Sequence, residues 1–186
     1  DRGLLTVRTV KKRLRELLRR RCNDEIAAWA AERRRVLAVL IALTYDRDPL
    51  VAWRAVEALG SSTERIADED PDCVRDHLRR LYWLMSEESG GICWRAPEAM
   101  AEIVRRRPAL FADYVPILVS LIGEMAEEDL AHFRPGILWA IGRLGPVAGE
   151  HLDGVLPEIV ACLGHPESQV RGMAAFAKTV YGRESV

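Results

Sequence analysis

Apolar residues recur along this chain at helical spacing, every three or four positions, in four long segments. The segments span residues 26–45, 73–86, 110–125 and 152–163. No segment of four or more residues alternates apolar and polar side chains between turn-forming residues, which is the pattern of a half-buried β-strand. The sequence therefore predicts an all-α protein.

Residues that start or stop helices, mainly Gly, Pro, Asp and Ser, lie between these segments. They occur at positions 46–49, 60–63, 89–91, 108, 145–146 and 164–166. After such a break, each long segment is followed by a second helical stretch. We therefore expect four antiparallel helix pairs, over residues 25–60, 71–107, 108–145 and 147–182.

A short motif centred on an arginine repeats in the second stretch of each pair. The clearest copies, residues 48–60 and 89–101, share Trp-Arg-Ala-x-Glu-Ala. Looser copies surround Arg134 and Arg171, so the four arginines are 41, 39 and 37 residues apart. Five positions after each arginine is a large apolar residue, followed by a small one, as close packing of stacked helices requires. These large residues are Leu59, Met100, Trp139 and Phe176. A period of this length predicts stacked helical repeats.

The motif resembles the HEAT repeat, in particular the short bacterial HEAT-like repeats of the phycobilisome-lyase type, over about residues 25–182. The resemblance implies an α-solenoid of about four helix pairs within a single domain, residues 1–186. In that family an Asp six positions before the arginine commonly bonds the arginine of a neighbouring repeat. That position here holds Asp48, Ser89, Glu128 and His165, so the first copy matches strictly and the third matches by charge.

The segment before the repeats, residues 1–24, is predicted to hold an amphipathic capping helix. Between positions 4 and 21, one helical stripe is apolar and most basic side chains lie off it. The stripe consists of Val7, Val10, Leu14, Leu17 and Leu18. Because the first repeat of a solenoid leaves an apolar face in water, we expect this helix to cover that face.

Charge is distributed unevenly along the chain. Residues 1–35 hold twelve Arg or Lys and five Asp or Glu, a net charge of +7, whereas the remainder holds fifteen and twenty-three, a net charge of −8. Eight basic residues lie between positions 8 and 21, with one acid, Glu16. We interpret them as the solvated outer face of the capping helix. Docking of this basic helix, 8–21, on the phosphates of a nucleic acid or on an acidic protein is the alternative.

Composition narrows the class of protein further. Of the 186 residues, 49% are apolar, which is enough for a continuous core. The longest unbroken apolar run, 36–43, is far shorter than the roughly 20 residues of a membrane-spanning helix, so we expect no membrane contact. The four cysteines include no Cys-x-x-Cys pair and no hydrophobic leader is visible, which favours reduced thiols in a cytoplasm.

Little in the sequence indicates catalysis or metal binding. Two i,i+4 pairs, Cys73 with His77 and Glu128 with His132, each place only two possible ligands on one helix face, whereas zinc needs three or four. No Ser or Cys stands in a motif that places a base beside it. We therefore expect no metal, no cofactor and no catalytic residue.

The candidate binding residues are the tryptophans, arginines and glutamates of the repeated motif. They are Trp53, Arg54, Glu57, Trp94, Arg95 and Glu98, with Trp139 and Arg143 as an extension of the same set. In HEAT-like proteins the second helix of each repeat lines the concave side, which implies one contiguous surface of aromatic and charged groups. Alternatively, the tryptophans pack between helices and the arginines pair with acids of adjacent repeats.

The sequence favours a non-catalytic scaffold or adaptor that binds a protein or peptide on this concave surface. The enzymatic alternative is a HEAT-like DNA glycosylase acting on damaged bases, for which Trp53, Trp94, Glu57 and Glu98 offer the residue types. The net negative charge after residue 35 speaks against it. A phycobilin-lyase-like, tetrapyrrole-binding protein is a third alternative, which rests on fold kinship alone.

Overall fold

A computed structural model of the chain describes residues 6–85, 95–124 and 131–181. All regular structure in these ranges is helical and none of it is a β-strand, which confirms the all-α prediction. The chain divides into two compact units, Asp1–Ala99 and Met100–Val186. The arrangement of four repeats in one solenoid domain stays a prediction. Within the described ranges, no helix is both long enough and apolar enough to cross a membrane.

The first unit is organised around its longest described helix, α4. Its helices are α1 (Val7–Arg19), α2 (Asn23–Glu32), α3 (Arg35–Leu43), α4 (Pro49–Ala67) and α5 (Pro71–Trp83), and α6 (Ala96–Arg106) begins in it. Helix α4 packs against α1, α2, α3 and α5. Eleven of its 19 residues are buried, so the core of this unit surrounds α4.

The second unit is built around the contact between its helices α9 and α12. After the rest of α6, its helices are α7 (Pro108–Phe111), α8 (Val115–Glu124), α9 (Arg134–Leu144), α10 (Pro146–Gly149), α11 (Leu156–Cys162) and α12 (Ser168–Tyr181). Helix α8 packs against α9, and α11 packs against α12. A Cβ atom at Gly142 of α9 would overlap the ring of Phe176 of α12. The missing side chain at position 142 therefore permits the close approach of these two helices.

Several helices begin and end near the predicted breaks. Asp48 accepts a hydrogen bond of 3.1 Å from the Leu50 backbone N–H, and Pro49 is the first residue of α4. Gly145, with φ of 60°, ends α9, and Pro146 begins α10. A side-chain acceptor before the helix, Pro at its first position and Gly after its end each satisfy the backbone geometry of a terminus.

The prediction of one helix over residues 26–45 is wrong. The backbone at Arg33 is extended, with φ of −139° and ψ of 90°, and this residue separates α2 from α3. The Arg34 guanidinium donates to the carbonyls of Ala30, at 3.3 Å, and Ala31. Because an arginine side chain caps the end of α2, the break needs no glycine or proline.

The predicted break at residues 60–63 is also wrong, since α4 continues to Ala67. The Ser61 hydroxyl donates to the Glu57 carbonyl at 3.3 Å, and the Thr63 hydroxyl donates to the Leu59 carbonyl at 2.7 Å. Because these hydroxyls find hydrogen-bond acceptors in the preceding turn of the same helix, the helix continues through this Gly-Ser-Ser-Thr sequence.

Helix α1 buries most of its predicted apolar stripe. Val10, Leu14, Leu17 and Leu18 are at most 4% exposed, and α1 packs against α2, α3 and α4. Val7, the first residue of the predicted stripe, is 69% exposed because it is also the first residue of the helix and extends beyond the packed surface. The buried apolar stripe of α1 therefore begins at Val10, about one turn later than the sequence indicates.

Replacing Leu17 by Asp is expected to lower the free energy of unfolding by about 2–4 kcal/mol, because a charge would be buried or α1 would undock. Thermal and urea unfolding followed by circular dichroism measure this loss. The control is Val7→Asp, on the exposed side of the same helix, which is expected to change the free energy by less than about 0.5 kcal/mol. Equal stability of the two variants would contradict the docking of α1.

Candidate functional site

In the first unit, the structure brings Trp53, Arg95 and Glu98 together. The Arg95 guanidinium carbon lies 4.2 Å from the centroid of the Trp53 ring, a cation–π contact. Arg95 Nη1 lies 3.9 Å from Glu98 Oε1. Trp53 is half-buried and the Arg95 side chain is 25% exposed, so this stack lies at the surface of the unit. The first two copies of the repeated motif therefore contact each other through their tryptophan and arginine.

Glu98 is buried at the base of this stack. The residue is 5% exposed, and its Oε2 atom has no hydrogen-bond partner among the described residues. Burial raises the pKa of Glu98 to about 7, although a hydrogen bond from its own backbone N–H and the charge of Arg95 both lower it. This carboxyl group is therefore partly protonated at neutral pH, whereas an exposed glutamate is fully ionised there.

Arg54 and Glu57, two other predicted site residues, contact the end of α1. Arg54 Nη1 donates to the carbonyls of Leu18, at 3.1 Å, and Arg19, at 2.7 Å. Glu57 Oε2 lies 3.7 Å from Arg21 Nη2. The last carbonyls of a helix have no hydrogen-bond partner within the helix. A guanidinium group at that end donates to them, and its positive charge interacts favourably with the negative end of the helix dipole. These two residues thus tie α4 to α1.

In the second unit, Arg143 contacts both Trp139 and a buried carboxylate. Its guanidinium carbon lies 5.9 Å from the Trp139 ring centroid, and its Nε atom forms an ion pair with Glu102. Glu102 is 1% exposed and also contacts Arg105, at 2.9 Å, and Arg106, at 3.8 Å. One carboxylate therefore lies among three guanidinium groups.

Sequence reasoning missed Glu102, although a signal for it exists. Glu102 and Arg143 are 41 residues apart, the same spacing as Arg54 and Arg95. Glu102 also follows Met100 and Ala101 and precedes Ile103 and Val104, so it is a lone acid within an apolar run of α6. A charge in such a run is retained only with a partner, and the repeat spacing indicates which residue is that partner.

Two residues that lie six positions before a repeat arginine each contact an arginine from earlier in the chain. His165 lies six positions before Arg171, and its Nε2 atom is 3.2 Å from Arg134 Nη1. Asp48 lies six positions before Arg54 and contacts Arg19 Nη2 at 3.1 Å. The hydrogen bond from Arg19 lowers the pKa of Asp48. In the two motif copies whose residue at this position is described, that residue contacts an arginine from earlier in the chain. For His165 it is a repeat arginine, and for Asp48 it is an arginine of α1.

The remaining predicted residues cannot be placed beside these. Trp94 lies outside the described residues, as do Ser89 and Glu128. Trp139 and Arg143 belong to the second unit, so their extension of the surface around Trp53 stays a prediction.

The described cysteines and histidines carry little reactive chemistry. His77 Nδ1 lies 2.7 Å from the Cys73 backbone carbonyl, so this i,i+4 pair is engaged within α5. Burial raises the pKa of the Cys73 and Cys162 thiols, which lowers the fraction of reactive thiolate. Across residues 6–85, 95–124 and 131–181, no three His, Cys, Asp or Glu side chains cluster to hold a metal ion.

Comparison with known proteins leaves the family open. No family model matches this chain, and no solved structure matches it significantly. An uncharacterized protein of Archaeoglobus fulgidus is 32% identical to it over 108 residues, which are 58% of this chain. The chain spans about half the length of that relative, 53%. The name of this relative states no activity, ligand or partner.

Raising the pH is expected to destabilise the first unit through Glu98. Because burial raises its pKa in the native state from 4.5 to about 7, the native state holds the proton more tightly than the unfolded state does. The free energy of unfolding then falls as the pH rises from about 4.5 through 7, by roughly 3 kcal/mol in all. Glu98→Gln, which mimics the protonated form, is expected to be more stable than the native chain at pH 8 and equal to it near pH 4.

Urea unfolding at these two pH values measures the difference. Glu69→Gln, on an exposed position of the same unit, is the matched control. Parallel pH profiles for Glu98→Gln and the native chain would contradict the burial of an ionisable carboxyl at position 98.

Replacing Glu102 by Gln is expected to lower the free energy of unfolding by about 3 kcal/mol, because three guanidinium groups would lose their shared carboxylate. The exposed Glu150→Gln in the same unit is expected to cost less than about 0.5 kcal/mol. In a double-mutant cycle, Arg143→Gln should cost less in the Glu102→Gln background than in the native chain. Additive losses would show that Glu102 and Arg143 are not coupled.

Proposed function

We propose that this chain is a non-catalytic, HEAT-like scaffold that binds a protein segment at the surface around Trp53. The observation that carries the proposal is the stack of Arg95 on Trp53, with a ring-to-guanidinium distance of 4.2 Å. Trp and Arg are the residue types that most often dominate binding energy at protein interfaces. A guanidinium already ordered on an aromatic ring loses less entropy on binding than a free one.

Contacts at the repeat offsets support the HEAT-like part of the proposal. Arg134 contacts His165, six positions before the next repeat arginine, whereas Asp48 at the same offset contacts Arg19 of α1, which precedes the repeats. Glu102 contacts Arg143 at a separation of one repeat. We expect the four pairs over residues 25–182 to stack as a solenoid in which such contacts join neighbouring repeats.

The burial of Glu98 speaks against the glycosylase alternative. A glycosylase that stabilises charge on a damaged nucleotide needs an ionised carboxylate that reaches the groove. Glu98 is 5% exposed, and its pKa of about 7 leaves it partly protonated at neutral pH. No observation favours the tetrapyrrole-binding alternative. A cytoplasmic location is also part of the proposal, and it rests on the cysteine spacing of the sequence, which contains no Cys-x-x-Cys pair.

Trp53→Ala is expected to weaken partner binding about 30-fold, which corresponds to about 2 kcal/mol for an anchoring aromatic residue. Partners are first captured by crosslinking from cells of the source organism and identified by mass spectrometry. The dissociation constant of the purified partner is then measured for each variant by isothermal titration calorimetry.

The matched control is Trp83→Ala, which removes an exposed tryptophan from α5 of the same unit. It is expected to change the dissociation constant less than about threefold. Equal binding by Trp53→Ala and the native chain would overturn the proposed surface. Release of modified bases from alkylated duplex DNA by the native chain, lost in Glu98→Gln, would establish the glycosylase alternative instead.

A further inference from the structure

The outer face of α1 presents a row of cations that the scaffold proposal does not use. The row, called here the α1 basic stripe, consists of Arg8, Lys11, Lys12, Arg15 and Arg19. Together with Glu16 it lines a shallow depression of about 400 Å³. The stripe extends over eleven helical positions, or about 16 Å, on the side opposite the buried residues.

Three of these cations are unpaired in the part of the chain that the structure describes. Arg15 forms an ion pair with Asp46 at 3.2 Å, and Arg19 forms one with Asp48 at 3.1 Å. The side chains of Arg8, Lys11 and Lys12 form no ion pair or hydrogen bond with any described residue. The two paired arginines fix the orientation of the helix, and the other three concentrate positive charge on its outer face.

The stripe does not suit a membrane surface. A helix that binds at a lipid interface inserts its apolar face between the headgroups. The apolar face of α1 is already used inside the unit, because Leu14 and Leu18 are 0% exposed.

The stripe is also a poor match for an acidic protein or a single strand. Protein interfaces centre on buried aromatic or apolar anchors, and every member of the stripe is a long cation. Single-stranded nucleic acids bind by stacking bases on aromatic rings. Helix α1 itself holds no aromatic residue, and Trp29 of the neighbouring α2 is 8% exposed and lies under Arg13 at 4.6 Å. A regular row of cations on a helix that carries no aromatic residue is typical of contact with a duplex backbone.

We propose that the α1 basic stripe binds the phosphate backbone of a nucleic acid duplex, without reading base sequence. Its length of about 16 Å equals the axial rise of about five base pairs, so several phosphates of one strand lie within reach. Arg8, Lys11 and Lys12 make the principal contacts. The inference does not rest on the surface around Trp53, so the two proposals can fail separately.

Fluorescence anisotropy with a labelled DNA duplex tests the proposal directly. The variant Arg8→Gln/Lys11→Gln/Lys12→Gln removes three stripe charges. The control, Arg65→Gln/Arg80→Gln/Lys178→Gln, removes three exposed charges outside α1. At about 50 mM salt, the stripe variant is expected to bind at least tenfold more weakly than the native chain, and the control within about threefold of it. The slope of log K against log salt should fall in magnitude by about 2–3 for the stripe variant alone.

Several results would overturn the proposal. They are no binding by the native chain at low salt, equal weakening by both variants, tighter binding to a single strand than to the duplex, and tighter binding to polyglutamate or anionic vesicles than to the duplex. Far-UV circular dichroism verifies that both variants fold. Duplex RNA of the same sequence is titrated in parallel, and binding to either duplex supports the proposal and identifies which nucleic acid supplies the backbone.

Discussion

The docking of α1 on the core around α4 is the interaction that determines the surface of the first unit. Burial of Leu14, Leu17 and Leu18 holds the helix against α2, α3 and α4. Exposed ion pairs contribute little energy each, about 1 kcal/mol or less, so they orient the helix rather than hold it. Arg54 then satisfies the carbonyls at its C-terminal end. A single packing event thus determines which cations of α1 face water and which side chains of α4 are engaged.

The sequence predicts the helices of this fold better than their boundaries. Period and turn residues are sufficient for the start of α4, where Asp48 caps the helix and Pro49 is its first residue, and for the end of α9 at Gly145. They are insufficient where a side-chain hydrogen bond to the backbone, rather than a glycine or proline, decides whether a helix ends. The break at Arg33 is closed by Arg34, and Ser61 bonds within its own helix. In both cases a polar side chain satisfies backbone carbonyls, and composition does not reveal which carbonyls it reaches.

The candidate site shows the same limit. Helical periodicity places Trp53 and Arg95 in adjacent motif copies, in which Arg95 directly follows the counterpart of Trp53, and the structure shows these two side chains in contact. It does not reveal that Glu98 is buried, since burial depends on how the neighbouring helices pack. It also does not separate Arg95, which stacks on an aromatic ring, from Arg54, which binds carbonyls of α1. The two arginines have the same local sequence and differ only in what the fold places opposite them.

The contact between Gly142 and Phe176 has a consequence for the way this sequence can change over time. No side chain fits at position 142 while the Phe176 ring occupies its present place. A substitution to alanine at 142 is therefore compatible with the α9–α12 packing only after the ring is lost or moved. In relatives that keep this pair of helices, the identities at these two positions should covary, with a larger residue at one accompanied by a smaller residue at the other.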